Sequence, residues 1–239
     1  MNQKYDDIIN DYGNYSRVQI GDKWGAINKQ GELVIPVKYD EIFPICCERA
    51  NVKLGDKWGY VDTTGKERTP FKYDYASNFY DNFAYVRING KWGIVNIDCQ
   101  EITPIKYSDI GDFSEGIVAV QIGHKRGFVT DTGEELTPID YDEVEFFEES
   151  KAAVKKDGKW GFINLKGEQI IPFLYDDASY FTEGLALVKK GDKFGYINEK
   201  NETVLPFIYD DGKLFQNGKA WVQIGDKQFE INTLGEQIK

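Results

Sequence analysis

Apolar and polar residues alternate in short runs along the whole chain. Ala50, Val52 and Leu54 alternate with Asn51 and Lys53, and Ala84, Val86 and Ile88 with Tyr85 and Arg87. In the run that follows, Trp58, Tyr60 and Asp62 share one face while Gly59 and Val61 share the other. A period of two predicts β-strands. Between paired runs stand Gly21-Asp22, Gly55-Asp56, Asn89-Gly90, Gly123-His124, Asp157-Gly158, Gly191-Asp192 and Gly225-Asp226. Such pairs suit the two-residue turns of β-hairpins. A second turn is expected near Gly31, Gly65, Gly133, Gly167 and Gly235, followed by a short third strand that runs into a proline. Proline cannot donate to a ladder and so marks a strand end or an edge. A fourth segment carries Tyr-Asp and then an aromatic residue: Phe79, Phe113, Phe147, Phe181 or Phe215.

These runs repeat. Trp24, Trp58, Trp92, Arg126, Trp160, Phe194 and Gln228 are each 34 residues apart, and Tyr5, Tyr39, Tyr73, Tyr107, Tyr141, Tyr175 and Tyr209 keep the same step. Pro36, Pro70, Pro104, Pro138, Pro172 and Pro206 punctuate the units of one repeat domain over residues 1–239. Helical repeats of the same period are excluded, because each unit carries too many Gly and Pro breakers for two helices. The expected fold is all-β: seven repeats closing as a seven-bladed β-propeller whose last blade is completed by the N-terminal segment. An open β-hairpin solenoid is the alternative.

Composition narrows the function. The net charge is −11, which argues against nucleic acid and against an anionic membrane surface and favours a basic partner. No run approaches the length of a bilayer-spanning helix, and the first ten residues lack the pattern of a secretory leader. The three cysteines, Cys46, Cys47 and Cys99, do not suggest a disulfide framework, so a cytoplasmic monomer is expected. The sole histidine, His124, cannot complete a zinc site of the usual kind, and no cofactor is expected.

The motifs resemble those of the WG-repeat (KWG-repeat) family of bacterial proteins. Lys23-Trp24-Gly25, Lys57-Trp58-Gly59, Lys91-Trp92-Gly93 and Lys159-Trp160-Gly161 supply the K-W-G. Ile35 to Asp40 and Phe181 to Gly184 match I-P-x-x-Y-D and F-x-E-G. The resemblance implies a β-rich, propeller-like binding module and no particular ligand or reaction. Gln228-Phe229 departs from it in the last unit.

No nucleophile–histidine pair or phosphate loop points to catalysis, so the chain is read as non-enzymatic. The seven lysines that follow the hairpin turns are expected to pair with aspartates or lie over aromatics rather than form an anion ring. The aspartates Asp6, Asp40, Asp74, Asp142, Asp176 and Asp210 are expected to cap turns, a role that Ser108 can share. Tryptophan at strand spacing is expected to pack units together. Binding is sought where the units differ, in 42–49, 75–83 and 141–150. The candidate partner-binding residues are Glu41, Phe43, Arg49, Tyr75, Phe79, His124, Arg126, Glu143, Glu145 and Glu148. A basic protein or peptide is the expected partner; a small ligand or carbohydrate held on an aromatic face is the alternative.

Overall fold

A computed structural model describes residues 4–11, 13–80 and 82–238. The chain divides into two compact units, residues 1–109 and 110–239. No helix among the described residues is long and apolar enough to cross a membrane.

The first unit holds three antiparallel sheets. Sheet I contains β1 (Asp7–Asn10), β2 (Tyr15–Ile20), β3 (Lys23–Asn28) and β4 (Leu33–Tyr39) in that order. Sheet II contains β5 (Glu41–Ile42), β6 (Arg49–Leu54) and β7 (Lys57–Asp62); sheet III contains β8 (Tyr75–Ala76), β9 (Phe83–Ile88) and β10 (Lys91–Asn96). The second unit holds four. Sheet IV contains β11 (Asp109–Ser114), β12 (Ile117–Ile122) and β13 (Lys125–Thr130). Sheet V contains β14 (Glu143–Val144), β15 (Lys151–Lys156), β16 (Lys159–Asn164) and β17 (Gln169–Tyr175). Sheet VI contains β18 (Asp177–Thr182), β19 (Leu185–Lys190), β20 (Lys193–Asn198) and β21 (Thr203–Tyr209), and sheet VII contains β22 (Asp211–Gly212), β23 (Lys219–Ile224) and β24 (Lys227–Asn232).

In the N-terminal segment β1 pairs with β2, Ile8 opposite Val18, so residues 7–10 form the first strand of sheet I. The boundary between sheets falls inside the Tyr-Asp step: Tyr39, Tyr73 and Tyr175 face Trp24, Trp58 and Trp160 of the preceding sheet, whereas the residues from the aspartate onward, as in Asp40 and β5, join the next one. The turns form as the dipeptides require. Gly21, Gly55, Gly123, Gly191 and Gly225 take a positive φ at the first position, whereas Asn89-Gly90 and Asp157-Gly158 take it at both.

The core lies between sheets. Sheets I and II share a cluster around Ile35, Tyr39, Ile42 and Val52, and sheets II and III one around Tyr60, Tyr73, Phe79 and Val86. In the second unit the same role falls to clusters spanning IV and V, V and VI, and VI and VII. One pair recurs: a residue on the third strand meets the phenylalanine of the next sheet. Tyr60–Phe79, Phe128–Phe147, Phe162–Phe181 and Tyr196–Phe215 have ring centroids 4.9, 5.0, 4.8 and 4.9 Å apart. Fully burying each ring contributes about 1.5–3 kcal/mol. A single sheet has no such partner, which is why the unit is stable only in an array.

The glycine of K-W-G is required by close approach. A Cβ on Gly161 would lie 2.6 Å from the Ile171 carbonyl oxygen, and one on Gly25 2.5 Å from that of Ile35.

Candidate functional site

The repeated charges are largely consumed by the scaffold. Lys23, Lys57, Lys125, Lys159 and Lys193 pair with Asp40, Asp74, Asp142, Asp176 and Asp210. The second carboxylate oxygen of Asp40 accepts the N–H of Gly55 at 2.7 Å, and that of Asp176 the N–H of Gly191 at 2.8 Å. Each such aspartate thus ties the lysine of one sheet to the hairpin turn of the next. The lysine hydrogen bond first, and the turn N–H second, hold these carboxyls below the usual range. Neither an anion ring nor a cation ring is left over, and no cluster of three or more metal-binding side chains forms among the described residues.

The F-x-E-G glutamate has a related role that the sequence alone did not reveal. In the second unit, Glu115 accepts the N–H of Ser150, Glu149 those of Glu183 and Gly184, and Glu183 that of Gly218, at 2.6–3.2 Å. A carboxylate on each turn caps the turn of the following sheet.

The tryptophans carry cations across the hairpin. Lys53 lies over Trp58, Arg87 over Trp92 and Lys155 over Trp160, 5.1–5.9 Å from the centroids. Trp58 and Trp160 are buried. At Arg126 the pair is altered: Gln121 faces it, and Arg126 Nε donates to Gln121 Oε1 at 3.3 Å instead of stacking on a ring. Gln228 is likewise opposite Gln223 and bonded to it at 3.0 Å.

The candidate residues fall into two groups. In the first unit, Glu41 is exposed and pairs with Lys53, and Phe43 lies against Trp58 at 5.3 Å. Tyr75 packs edge-on to Trp92 at 5.7 Å. Arg49 donates to the Glu48 carbonyl at 3.0 Å; its guanidinium also pulls the Cys99 thiol down, against a burial that pushes it up more. Phe79 belongs to the core rather than the surface: it is 4% exposed, because it is the ring that meets Tyr60.

In the second unit only Glu145 of the candidates lines a cleft. His124 is exposed on the hairpin turn before β13, Glu148 is exposed, and Glu143 pairs with Lys155 at 2.6 Å. Glu145 is half-buried in a cleft of ≈ 410 Å³ between sheets IV and V, walled by Phe113, Phe128, Phe146 and Phe147 with Asp112 at its other side. Phe146 is 45% exposed. Burial, then the carboxylates of Glu143 and Asp177, push the Glu145 carboxyl above its ordinary value, and Arg126 opposes them only weakly. Neither Glu145 nor Asp112 forms an ion pair among the described residues. The opposite wall, Gly111 to Ser114, was not singled out from the sequence. The available signal was Gly111, which stands where sheets V and VI carry Glu145 and Ser179; with Ala119 it leaves the space open.

The family profile described as WG containing repeat matches residues 4–24, 24–58, 58–92, 92–125, 127–160, 160–194 and 194–227. No curated protein matches the chain. Similar solved structures include Kluyveromyces lactis Hsv2 with a complete loop 6CD (TM-score 0.42, 11% identity, 79% of this chain and 71% of that one). A eukaryotic initiation factor gives TM-score 0.43 at 11% identity over 95% of this chain and 72% of its own. PorZ of Porphyromonas gingivalis gives 0.37 at 8% over 98% and 37%. Likeness at that level decides neither architecture nor partner. The seven profile matches, together with the K-W-G hairpins and their glycine contacts, establish that the chain belongs to the WG-containing-repeat family.

Proposed function

We propose that the protein is a non-enzymatic scaffold that binds a basic protein or peptide, with the cleft between sheets IV and V as the seat of a lysine or arginine side chain. One observation carries this reading: Glu145 and Asp112 border an aromatic cleft without forming an ion pair among the described residues, while nearly every repeated carboxylate elsewhere is paired or capped. The aromatic walls suit an aliphatic stem and the carboxylates its charged head. The net charge of −11 would speed encounter with such a partner and disfavour nucleic acid and anionic membranes. On this reading the chain works as a cytoplasmic monomer. The test is binding of a fluorescent lysine- and arginine-rich peptide at low and high salt, to the wild type and to Glu145→Gln and Asp112→Asn. Binding weakened at least about tenfold in the double variant, or roughly 1.4 kcal/mol, is expected. Affinity indifferent to both substitutions and to salt refutes the reading.

The finer architecture is part of the same proposal: the seven sheets are blades of one closed propeller. Seven equal steps of 34 residues without insertion support it. So does face-to-face stacking inside the second unit, where Gly212 packs against Leu187. Small-angle scattering separates the forms. A compact particle of this length has a radius of gyration of about 18 Å, whereas an open row of sheets spaced about 10 Å apart is distinctly longer.

A carbohydrate or other small ligand remains the second reading because of one feature. Trp221 is 52% exposed and borders a pocket of ≈ 210 Å³ with Asp211, Lys213, Gln223 and Gln228. A stacking ring among polar groups suits a sugar. Tryptophan fluorescence unchanged across a glycan panel would dismiss it.

A further inference from the structure

Sheet VII departs from the other sheets on one face. The alternation of β22, β23 and β24 puts Asp211, Lys213, Trp221, Gln223 and Gln228 on that face, where they line a pocket of ≈ 210 Å³. Asp211 lies opposite Gln223 and Gln223 opposite Gln228, while the Lys213 N–H donates to the Trp221 carbonyl at 2.8 Å. Asp211, Lys213, Trp221 and Gln228 are exposed, and Gln223 is half-buried. The Tyr196 hydroxyl donates to the Lys213 carbonyl at 2.7 Å and so fixes the backbone that carries the lysine.

The equivalent face of sheets II and V uses up its charges. There Glu41 pairs with Lys53 and Glu143 with Lys155, each at 2.6 Å, and the lysine lies over Trp58 or Trp160. In sheet VII, Gln223 stands in place of that lysine and Gln228 in place of the tryptophan, so Asp211 has no cation opposite it. The cation stands instead at Lys213, two residues along the chain, about 6–7 Å away at strand rise. Neither Asp211 nor Lys213 forms an ion pair among the described residues, and Glu230, the carboxylate opposite Trp221, is met by Lys219 at 4.0 Å. Sheets I and IV also combine an aspartate with a glutamine at these repeat positions, Asp7 with Gln19 and Asp109 with Gln121. They carry Ile9 and Gly111 where Lys213 stands, and Arg17 and Ala119 where Trp221 stands. Among the described residues, sheet VII alone joins an unpaired carboxylate, an unpaired ammonium and an exposed indole on this face.

We propose that this pocket binds a free α-amino acid with an apolar side chain. The inference rests on the second reading of function, that the Trp221 pocket holds a small ligand, and names the chemistry of that ligand. One oxygen of Asp211 accepts the Gly212 N–H at 2.8 Å, which leaves the other for the ligand's ammonium. Lys213 takes the ligand's carboxylate. Gln228 spends one amide hydrogen on Gln223 and has a second for the same carboxylate. The indole face of Trp221 covers the side chain. Asp211 and Lys213 are too far apart to satisfy each other and close enough for one small zwitterion to reach both. A neutral sugar would leave both charges without a counter-ion, and a sugar acid would answer Lys213 alone. Ion pairs at an exposed site are individually weak, so the affinity is modest.

The test is saturation-transfer NMR on the full chain with L-phenylalanine, N-acetyl-L-phenylalanine, L-phenylalaninamide, glucose and glucuronate. L-phenylalanine is expected to bind at least about tenfold more tightly than either blocked derivative. Lys213→Met should bring phenylalanine down to the level of phenylalaninamide and leave the amide no weaker. Asp211→Asn should bring it down to the level of the N-acetyl form and leave that form no weaker. Trp221→Ala should abolish binding of phenylalanine, with circular dichroism showing that each variant is folded. Blocked derivatives that bind as well as phenylalanine, or phenylalanine binding that survives Trp221→Ala, would overturn the inference. A sugar that binds where phenylalanine does not overturns it and keeps the small-ligand reading. Silence from all five probes overturns the inference and removes the ground for that reading as well.

Discussion

Sheets I, V and VI carry a large aliphatic residue before the proline where sheets II, III and IV carry threonine, and their outer edges differ accordingly. Ile35, Ile171 and Leu205 precede proline in the first group, are buried, and lie in seven-residue strands, β4, β17 and β21. Thr69, Thr103 and Thr137 precede it in the second, where the outer segment touches the third strand only through isolated bridges such as Trp58–Tyr73 and Val61–Glu67. The buried threonine hydroxyls explain this. They accept the N–H groups of Tyr60, Ile94 and Phe128 at 2.9–3.1 Å, a place a strand carbonyl would otherwise fill. A side chain that competes for a ladder hydrogen bond interrupts the ladder. The cleft at Glu145 opens beside sheet IV, one of the interrupted group. The difference teaches that the array varies its edges without altering its core.

The largest effect should come from testing how close those edges sit. Gly161→Ala pushes a methyl against the Ile171 carbonyl in a continuous edge and should cost about 3 kcal/mol, the upper end for overpacking. Gly59→Ala meets the Phe71 ring at 3.1 Å and the Thr69 hydroxyl at 3.2 Å, side chains that can yield, and should cost about 1 kcal/mol. Denaturant midpoints measure both. Equal costs would mean that the two edges are equally rigid.

Next in size is the hydroxyl itself. Thr103→Val leaves the buried Ile94 N–H without its acceptor and should destabilise by about 2 kcal/mol, with faster amide exchange at Ile94. Thr103→Ser keeps the acceptor and should stay within about 1 kcal/mol of the wild type. A valine variant as stable as the wild type would show that the outer edge re-forms as a full strand, and the distinction between the two groups would collapse.

Much of this was legible in the sequence. The 34-residue step, the hairpin dipeptides and the alternation made the hairpin pairs such as β2–β3 and β6–β7 legible, because local turn chemistry and period two act over neighbouring residues. The lysine–aspartate pairs and the turn caps followed from residue type and spacing. The phase of the sheets did not, since a repeat marks equivalent positions and not which side of Asp40 a sheet begins. Phe79 was misplaced among surface candidates although it belongs to the aromatic series that builds the core. The cleft was half visible: Glu145 stood in a variable stretch, but the opposite wall depends on the missing side chain of Gly111, two strands away.

A smaller effect tests whether the cleft is strained. The carboxyl of Glu145 is raised, so the charged form is disfavoured in the folded chain and stability falls as pH rises past the ordinary glutamate range. Glu145→Gln should therefore raise the melting temperature at neutral pH, and the gain should vanish as pH falls below about 4.3, where glutamate is neutral in both states. A variant that is more stable and binds basic peptide less well would tie the strain to the site. A destabilised one would mean that Arg126 and Glu145 hold the edges of sheets IV and V together.

The smallest effect concerns the pairs that every kind of edge shares. Asp176 has a lowered pKa, first through Lys159 and then through the Gly191 N–H. The stabilisation is present above the unfolded value of about 3.9 and is lost as pH falls through the lower folded value. Asp176→Asn keeps an oxygen for Gly191 and loses only the ion pair, which is exposed and screened. The change in melting temperature should be slight at pH 7, shrink in 1 M salt and disappear in strong acid. The third repeat already tolerates this loss, since Ser108 stands where Lys91 would find its aspartate. A large effect that 1 M salt removes would mean that the charge, and not the turn cap, is what holds sheet V to sheet VI; a salt-insensitive loss would mean that asparagine disturbs the cap.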